Sequence, residues 1–442
     1  MSKSTTLLFR SGIFLFLLAE MGLNSGIRTE AGGPKLQPIV ARCGPISGVL
    51  LSKSAANADW QVIREDQPIR KDTLLIALPD AEVYSGNKTV TMTMLADVGH
   101  RGPLPVYESA VKIHQNPKVD MDVTLDRGIV VFSNAKEKGS AKVQLRFQDQ
   151  SWLLTLHSPG TRVGMEIYGR HAAGRPTFVK IDGKVTVADS PTIDLYLLVL
   201  KGNVSALTDR QEVALDAPPG QAKMHWDNLG KKVQVTYLDK LPPTLLPTTA
   251  EEKLVYQNIC AWARQLADRP IDTVLEELLD SKSHFERKGA VVCLGALDKL
   301  QRLVEVLAGS KHADARDKSI VVLRNFIGRG PGQIERVYDF LIKTRKLSDA
   351  QAKSALHLLI GFDDEERLQP STYEVLIDCL KHSKLAIREL ARWHLIRLVP
   401  DGKKINYDAA AAAEERERAL AEWRALVPVG QLPPNLRPKQ KK

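Results

Sequence analysis

The residues of this chain that could do chemistry are scattered rather than grouped. Its ten histidines contain no His-Glu-x-x-His and no His-x-His, the spacings that put two imidazoles on one metal. His357 and His394 sit inside apolar helical patterns and are expected in the core, while His284, His312 and His382 each precede a helix. Ser158 follows His157, but neighbours on a strand point to opposite faces, so they cannot act as nucleophile and base. Gly328-Arg-Gly-Pro-Gly332 lacks the Gly-Lys-Ser/Thr of a phosphate loop, and Pro331 removes an amide that phosphate would use. It reads as a loop between helices. Asp363-Asp-Glu-Glu366 lacks the spacing of a calcium loop and suits a helix start, where the macrodipole favours acids. The expectation is no catalytic residue, no metal and no cofactor. An enzyme would require the fold to bring Asp126 or Glu166 to a histidine. Trp152, Tyr168, His225 and Trp226 are the candidates for a ligand or partner face, with Trp60 and Trp262 equally suited to the core.

Charge narrows the partners. The net charge is +10, yet the surplus is spread along the chain apart from a basic tail carrying Arg437, Lys439, Lys441 and Lys442. A nucleic-acid binder concentrates its basic residues on one stripe, so no specific nucleic acid is expected. Four cysteines form no Cys-x-x-Cys pair. Cys260, Cys293 and Cys379 lie on apolar helical faces, where a thiol behaves as a small hydrophobe.

The elements that must position these residues change character at Leu241-Pro-Pro-Thr-Leu-Leu-Pro-Thr-Thr-Ala250. Before it, apolar residues alternate, as in Val90–Met94, Val143–Phe147 and Val163–Ile167, and Trp152, Leu154 and Leu156 mark one face of a strand. Asp194–Leu200 is apolar on both faces, as a doubly covered strand requires. Leu125-Asp-Arg-Gly128 and Leu200-Lys-Gly202 echo each other, each with a basic residue and then a glycine between strands. After the seam the period is helical. Capping boxes are expected at Thr249–Glu252, Ser283–Glu286, Ser348–Gln351 and Ser371–Glu374. Three helices share R-x-x-[AS]-x-x-x-L: Arg287/Ala290/Leu294, Arg316/Ser319/Leu323 and Arg388/Ala391/Leu395. A last helix, with Leu420, Trp423 and Leu426 on one face, caps the stack.

The amino terminus has a leader's order: Lys3 and Arg10, then the apolar run Ile13–Ala19, then small residues at Thr29-Glu-Ala31. The run is too short to span a bilayer, which takes about 20 residues.

The order Leu78-Pro-Asp-Ala81, Leu125-Asp-Arg-Gly128, Leu156-His-Ser-Pro-Gly-Thr-Arg-Val163, Leu198-Val-Leu-Lys-Gly202 and Pro218-Pro-Gly-Gln221 resembles the FecR-type domain of bacteria. That resemblance implies an all-β periplasmic module. FecR proteins that regulate sigma factors also carry a cytoplasmic domain and a membrane span, a pattern this chain departs from. The arginine helices resemble the HEAT or bilin-lyase-type repeat, in which an acid and a following arginine tie neighbouring repeats together. Only Asp314-Ala-Arg316 has that full form.

The expected architecture is multi-domain α+β. It has a leader at 1–31, a FecR-like all-β sandwich or solenoid at 32–240, a Pro-rich linker at 241–250, a HEAT-like helical domain at 251–427 and a basic disordered tail at 428–442. The expected function is a non-catalytic scaffold, exported to the periplasm or envelope, with a cytoplasmic protein as the alternative. A protein partner is expected, with at most peripheral membrane association. Polysaccharide or ligand binding through the β domain, or FecR-type regulation of signalling, stands as the alternative.

Overall fold

The computed structural model describes residues 37–437 except 56–57, 98–105, 210, 218–220 and 242–249. The expected leader, most of the Pro-rich linker, Thr249, Pro218–Gly220 and the last five residues of the tail lie outside the described residues. From Pro38 onward the chain forms one compact unit, with a β-rich region followed by a helical region.

The strands are β1 (Ile39–Ile46), β2 (Val49–Lys53), β3 (Gln61–Ile63), β4 (Pro68–Arg70), β5 (Leu74–Leu78), β6 (Ala81–Ser85), β7 (Val90–Leu95), β8 (Ser109–His114) and β9 (Met121–Asn134). They continue as β10 (Ala141–Phe147), β11 (Gln150–Leu156), β12 (Arg162–Arg170), β13 (Phe178–Ile181), β14 (Lys184–Val187), β15 (Thr192–Leu207), β16 (Glu212–Ala217), β17 (Gln221–Asp227) and β18 (Val233–Leu238). One layer runs β4-β1-β6-β7-β9-β12-β15-β17-β18. The other runs β3-β2-β5-β8-β9-β10-β11-β15-β16. Inward residues of both layers interdigitate in one core, among them Val83, Phe132 and Leu197 against Leu75, Val143 and Leu154.

The two longest strands, β9 and β15, belong to both layers. Each bends where it changes layer, and the bends fall at Gly128 (φ 103°) and Gly202 (φ 74°). These are the two echoed glycines. They lie within continuous strands rather than between separate ones, and a side chain there would collide with Ser109 or Thr161.

The helices are α1 (Ala250–Asp268), α2 (Ile271–Leu279), α3 (His284–Ala296), α4 (Leu300–Gly309), α5 (Ala313–Gly328), α6 (Gln333–Lys343), α7 (Asp349–Ile360), α8 (Asp364–Arg367), α9 (Pro370–Cys379), α10 (Leu385–Leu398) and α11 (Ala413–Leu426). Ser283 caps α3 and Ser348 forms a full capping box on α7. The box at Ser371 is corrected: Pro370 takes the first helical position, so the helix starts earlier and Gln369 is its N-cap. Glu374 instead accepts the Gly430 N–H. Asp363 does head a short helix, with Glu366 closing its capping box. No helix among the described residues is long and apolar enough to cross a membrane.

The three patterned arginines do one job. Each is buried, and each donates to a carbonyl six residues earlier: Arg287 to Ser281, Arg316 to Ser310, Arg388 to His382. Each thereby pins the loop leading into its own helix. Arg287 also binds Asp314 and so ties α3 to α5.

The helical region sits on the outer face of the second layer. Val49, Leu51, Ile76, Leu78 and Ala110 join the helical core there. At the edge of this interface the last residue of α5, Gly328, meets Gly169 of β12 backbone to backbone. Beside it Glu108 accepts from Arg127 Nε at 2.7 Å and Arg329 Nη2 at 2.8 Å. Arg127 also donates to the Ala296 carbonyl and Arg329 to that of Gly295, closing the end of α3. These two guanidiniums bridge a strand bend to helix ends, which fixes the two regions against each other.

Candidate functional site

β12, β15 and β17 lie side by side. Their registers set Glu166 opposite Tyr196, and Tyr196 opposite His225, in one cross-strand row. The adjoining rows pair Tyr168 with Asp194 and Leu198 with Lys223. Side chains alternate along a strand. Because Met165, Ile167, Leu195, Leu197 and Met224 fill the core, Glu166, Tyr168, Asp194, Tyr196, Lys223 and His225 share the outer surface.

Their geometry is tightly interlocked. The Tyr196 and His225 rings stack at 4.6 Å with 16° between planes. Lys223 Nζ lies 4.0 Å from the Tyr196 centroid, and Tyr168 packs at 5.9 Å. His225 Nε2 is 2.9 Å from Asp194 Oδ1. The other Asp194 oxygen is buried without a hydrogen bond, since Arg170 Nη2 at 3.9 Å is too far to donate.

Burial tunes these groups. Desolvation, helped by the charge of Asp97, pushes the Glu166 carboxyl from its ordinary 4.5 up to about 7, against a smaller pull from Lys223. Desolvation also lowers the Lys223 ammonium, opposed by Glu166 and Asp194. The Tyr168 hydroxyl is raised by burial and by its hydrogen bond with Tyr196. Near neutrality Glu166 therefore offers a donor as well as an acceptor.

A testable pH dependence follows. The folded chain keeps the Glu166 proton at a pH where the unfolded chain has lost it, so the native state binds more protons. Stability from this group is therefore present below about 4.5 and falls as pH rises to about 7. Urea denaturation of the Glu166→Gln variant should show that fall removed, a difference of ~2–3 kcal/mol between pH 4.5 and 7.5. Parallel pH profiles for both proteins would show that Glu166 does not titrate this way.

Of the residues singled out from sequence, the fold brings Tyr168 and His225 together and separates the tryptophans from them. Trp152 (0% exposed) and Trp226 (1%) are core residues, both packed edge-on against Phe147 at 4.8 and 5.1 Å. A ligand face containing them is corrected on that ground: their strand positions point inward. Asp126 is placed beside Arg127 rather than beside a histidine. Glu166 does lie on the histidine's face, but the histidine's carboxylate partner is Asp194. Asp194, Tyr196 and Lys223 were missed. Their signal was alternation, with polar side chains at 194, 196, 223 and 225 opposite apolar ones that run inward.

Elsewhere, His394 is a core residue whose Nε2 meets the Leu358 carbonyl at 2.7 Å, and burial holds it down to about 3. His357 pairs with Glu366 at 3.0 Å. Three of the four cysteines are buried and all four are free thiols. No group of His, Cys, Asp and Glu among the described residues is arranged to hold a metal. The cavity at the Arg127–Arg329 seam has about 20 Å³, room for one water, so this seam is structural rather than a ligand pocket.

No protein-family model, no curated protein and no solved structure matches this chain.

Proposed function

We propose that this protein is a non-catalytic interaction scaffold of the cell envelope. In this reading a FecR-like β region is seated on a HEAT-like helical array and offers the β12–β15–β17 face to a protein partner. The observation that carries it is the Asp194 carboxylate, 5% exposed, with one oxygen held by His225 and the other lacking a hydrogen bond. Arg170 Nη2 stands 3.9 Å from that oxygen, and in this reading a guanidinium or ammonium of a partner chain joins it there through a charge-assisted hydrogen bond. Tyr168 and Tyr196 add rigid aromatic anchors around it.

The FecR-like reading rests on the order of turns and strands, and the HEAT-like one on the three arginines with a common geometry. Envelope placement rests on the leader pattern at 1–31. A hydroxyl-rich polymer is the second reading, favoured by Glu166, which both donates and accepts near neutral pH. His225 and Lys223 already cover the ring of Tyr196, so hydrogen bonding rather than sugar stacking would hold such a ligand.

The test is site-specific photo-crosslinking in the native host, with the reactive residue at position 168 or, as a control, at exposed Ile181. One protein adduct is expected from position 168, absent from 181, and reduced at least tenfold by Asp194→Ala. It should come from the envelope fraction, with a mature amino terminus near Gly32. Equal adducts from both positions, or none, would refute the partner face. A sigma factor captured from cytosol would replace the scaffold with a signalling regulator.

A further inference from the structure

The helical region contains two adjoining cavities that the β face does not involve. The first, about 480 Å³, is an open groove among α4, α5, α6, α7 and α10, where the half-exposed Val304, Leu341, Leu385 and Ile387 lie over the buried Leu323 and Leu356. The second, about 530 Å³, lies along α7 and α9 and is lined in large part by polar side chains, including Gln351, Ser354, Gln369 and Thr372. Leu347, Lys384 and Ile387 line both. Each has the size of a small-molecule site, and the first has the mostly apolar wall of one.

Charge decides what fits. Arg345 and Lys384 are the charged residues of the first cavity, and Arg175 and Lys384 are the cations of the second. Arg175, Arg345 and Lys384 are exposed, and none makes an ion pair among the described residues. The single carboxylate in either wall, Glu366, is already engaged by His357 and by its own helix cap. The apolar groove therefore carries two cations, Arg345 and Lys384, and no carboxylate in its wall.

We infer that this groove binds a long-chain carboxylate, with its acyl chain along the half-exposed Val304, Leu341, Leu385 and Ile387 and its head group at Lys384 and Arg345. Covering the acyl chain drives binding, and the cations select the sign of the head group.

The experiment is calorimetric titration of the delipidated full chain with dodecanoate and with dodecyltrimethylammonium, both below their micelle concentrations. Dodecanoate should bind at one per chain and at least tenfold more tightly than the cation. Lys384→Glu with Arg345→Glu should reverse that preference. Ala355→Trp, which fills the half-exposed wall of the trough, should abolish binding of both while far-UV circular dichroism and the melting transition stay unchanged. Equal binding of the two detergents, or binding that survives Ala355→Trp, would overturn the assignment. A dimer in light scattering that Ala355→Trp dissociates, with no dodecanoate uptake, would assign the groove to a second copy of the chain instead.

Discussion

Replacing Gly328 by alanine should destabilise this protein, although it sits in a helix where the same change ordinarily stabilises by about 1 kcal/mol. The added methyl would point at the Gly169 carbonyl and lie 2.8 Å from the Arg170 Cα. Both obstacles are backbone, in the last two residues of β12, which pair with Ile193 and Thr192 of β15. Neither can rotate away, so α5 must lift from β12. Overpacking of this kind costs ~1–3 kcal/mol. Separation would also weaken the nearby Glu108 bonds to Arg127 and Arg329, which leaves a buried carboxylate less satisfied. Gly169→Ala should do the same from the strand side. Calorimetry should show the melting transition lowered by several degrees, and amide exchange should rise first at Arg127, Gly169 and the end of α5. A transition raised by Gly328→Ala would mean that the backbones are not in contact.

That contact explains why part of the architecture was readable and part was not. Local physics writes the elements. Alternation at Val163–Ile167 marks a strand, and the arginine spacing at 287, 316 and 388 marks three equivalent helices. The echo at Gly128 and Gly202 was visible too. Its meaning, one strand crossing between layers, depends on partners far away in sequence. Gly328 reads as a loop glycine because nothing local reveals that another backbone presses on it. The candidate face suffered the same limit. Alternation groups Trp152 with Leu154 and Leu156, but it cannot say that this face is the inner one. Phe147, which fixes Trp152 and Trp226 in the core, brings together two strands more than seventy residues apart. The run Asp194–Leu200 reads as apolar on both faces, which hides Asp194 at its start. Only the β15–β17 register places His225 one row from it and turns it into half of a pair.

The largest single-residue effect is expected at Arg316. Arg316 and Glu389 are both fully buried, and Arg316 Nε lies 2.9 Å from Glu389 Oε2. Its other nitrogens hold Asp408 at 2.9 Å and the Ser310 carbonyl at 2.8 Å. Arg316→Met keeps the apolar stem but leaves Glu389 with Arg392 as its remaining counter-ion. Breaking one side of a buried pair costs ~3–5 kcal/mol. Burial already raises the Glu389 carboxyl, opposed by Arg392 and Arg316, so losing Arg316 raises it further. The variant then gains stability by taking up a proton, and its deficit should be larger at pH 8 than at pH 5. The two sister arginines provide the control. Among the described residues Arg388 binds carbonyl oxygens alone, those of His382, Ser383 and Ala409, so Arg388→Met should cost ~1–3 kcal/mol with little pH dependence. Arg287 faces a partly exposed Asp314 that water can reach, so its loss strands no buried charge. Denaturant midpoints for the three variants at both pH values should rank Arg316 first, with only its deficit shrinking in acid. Three equal, pH-independent losses would mean that the arginines act as loop clamps alone and that the Glu389 pair contributes nothing of its own.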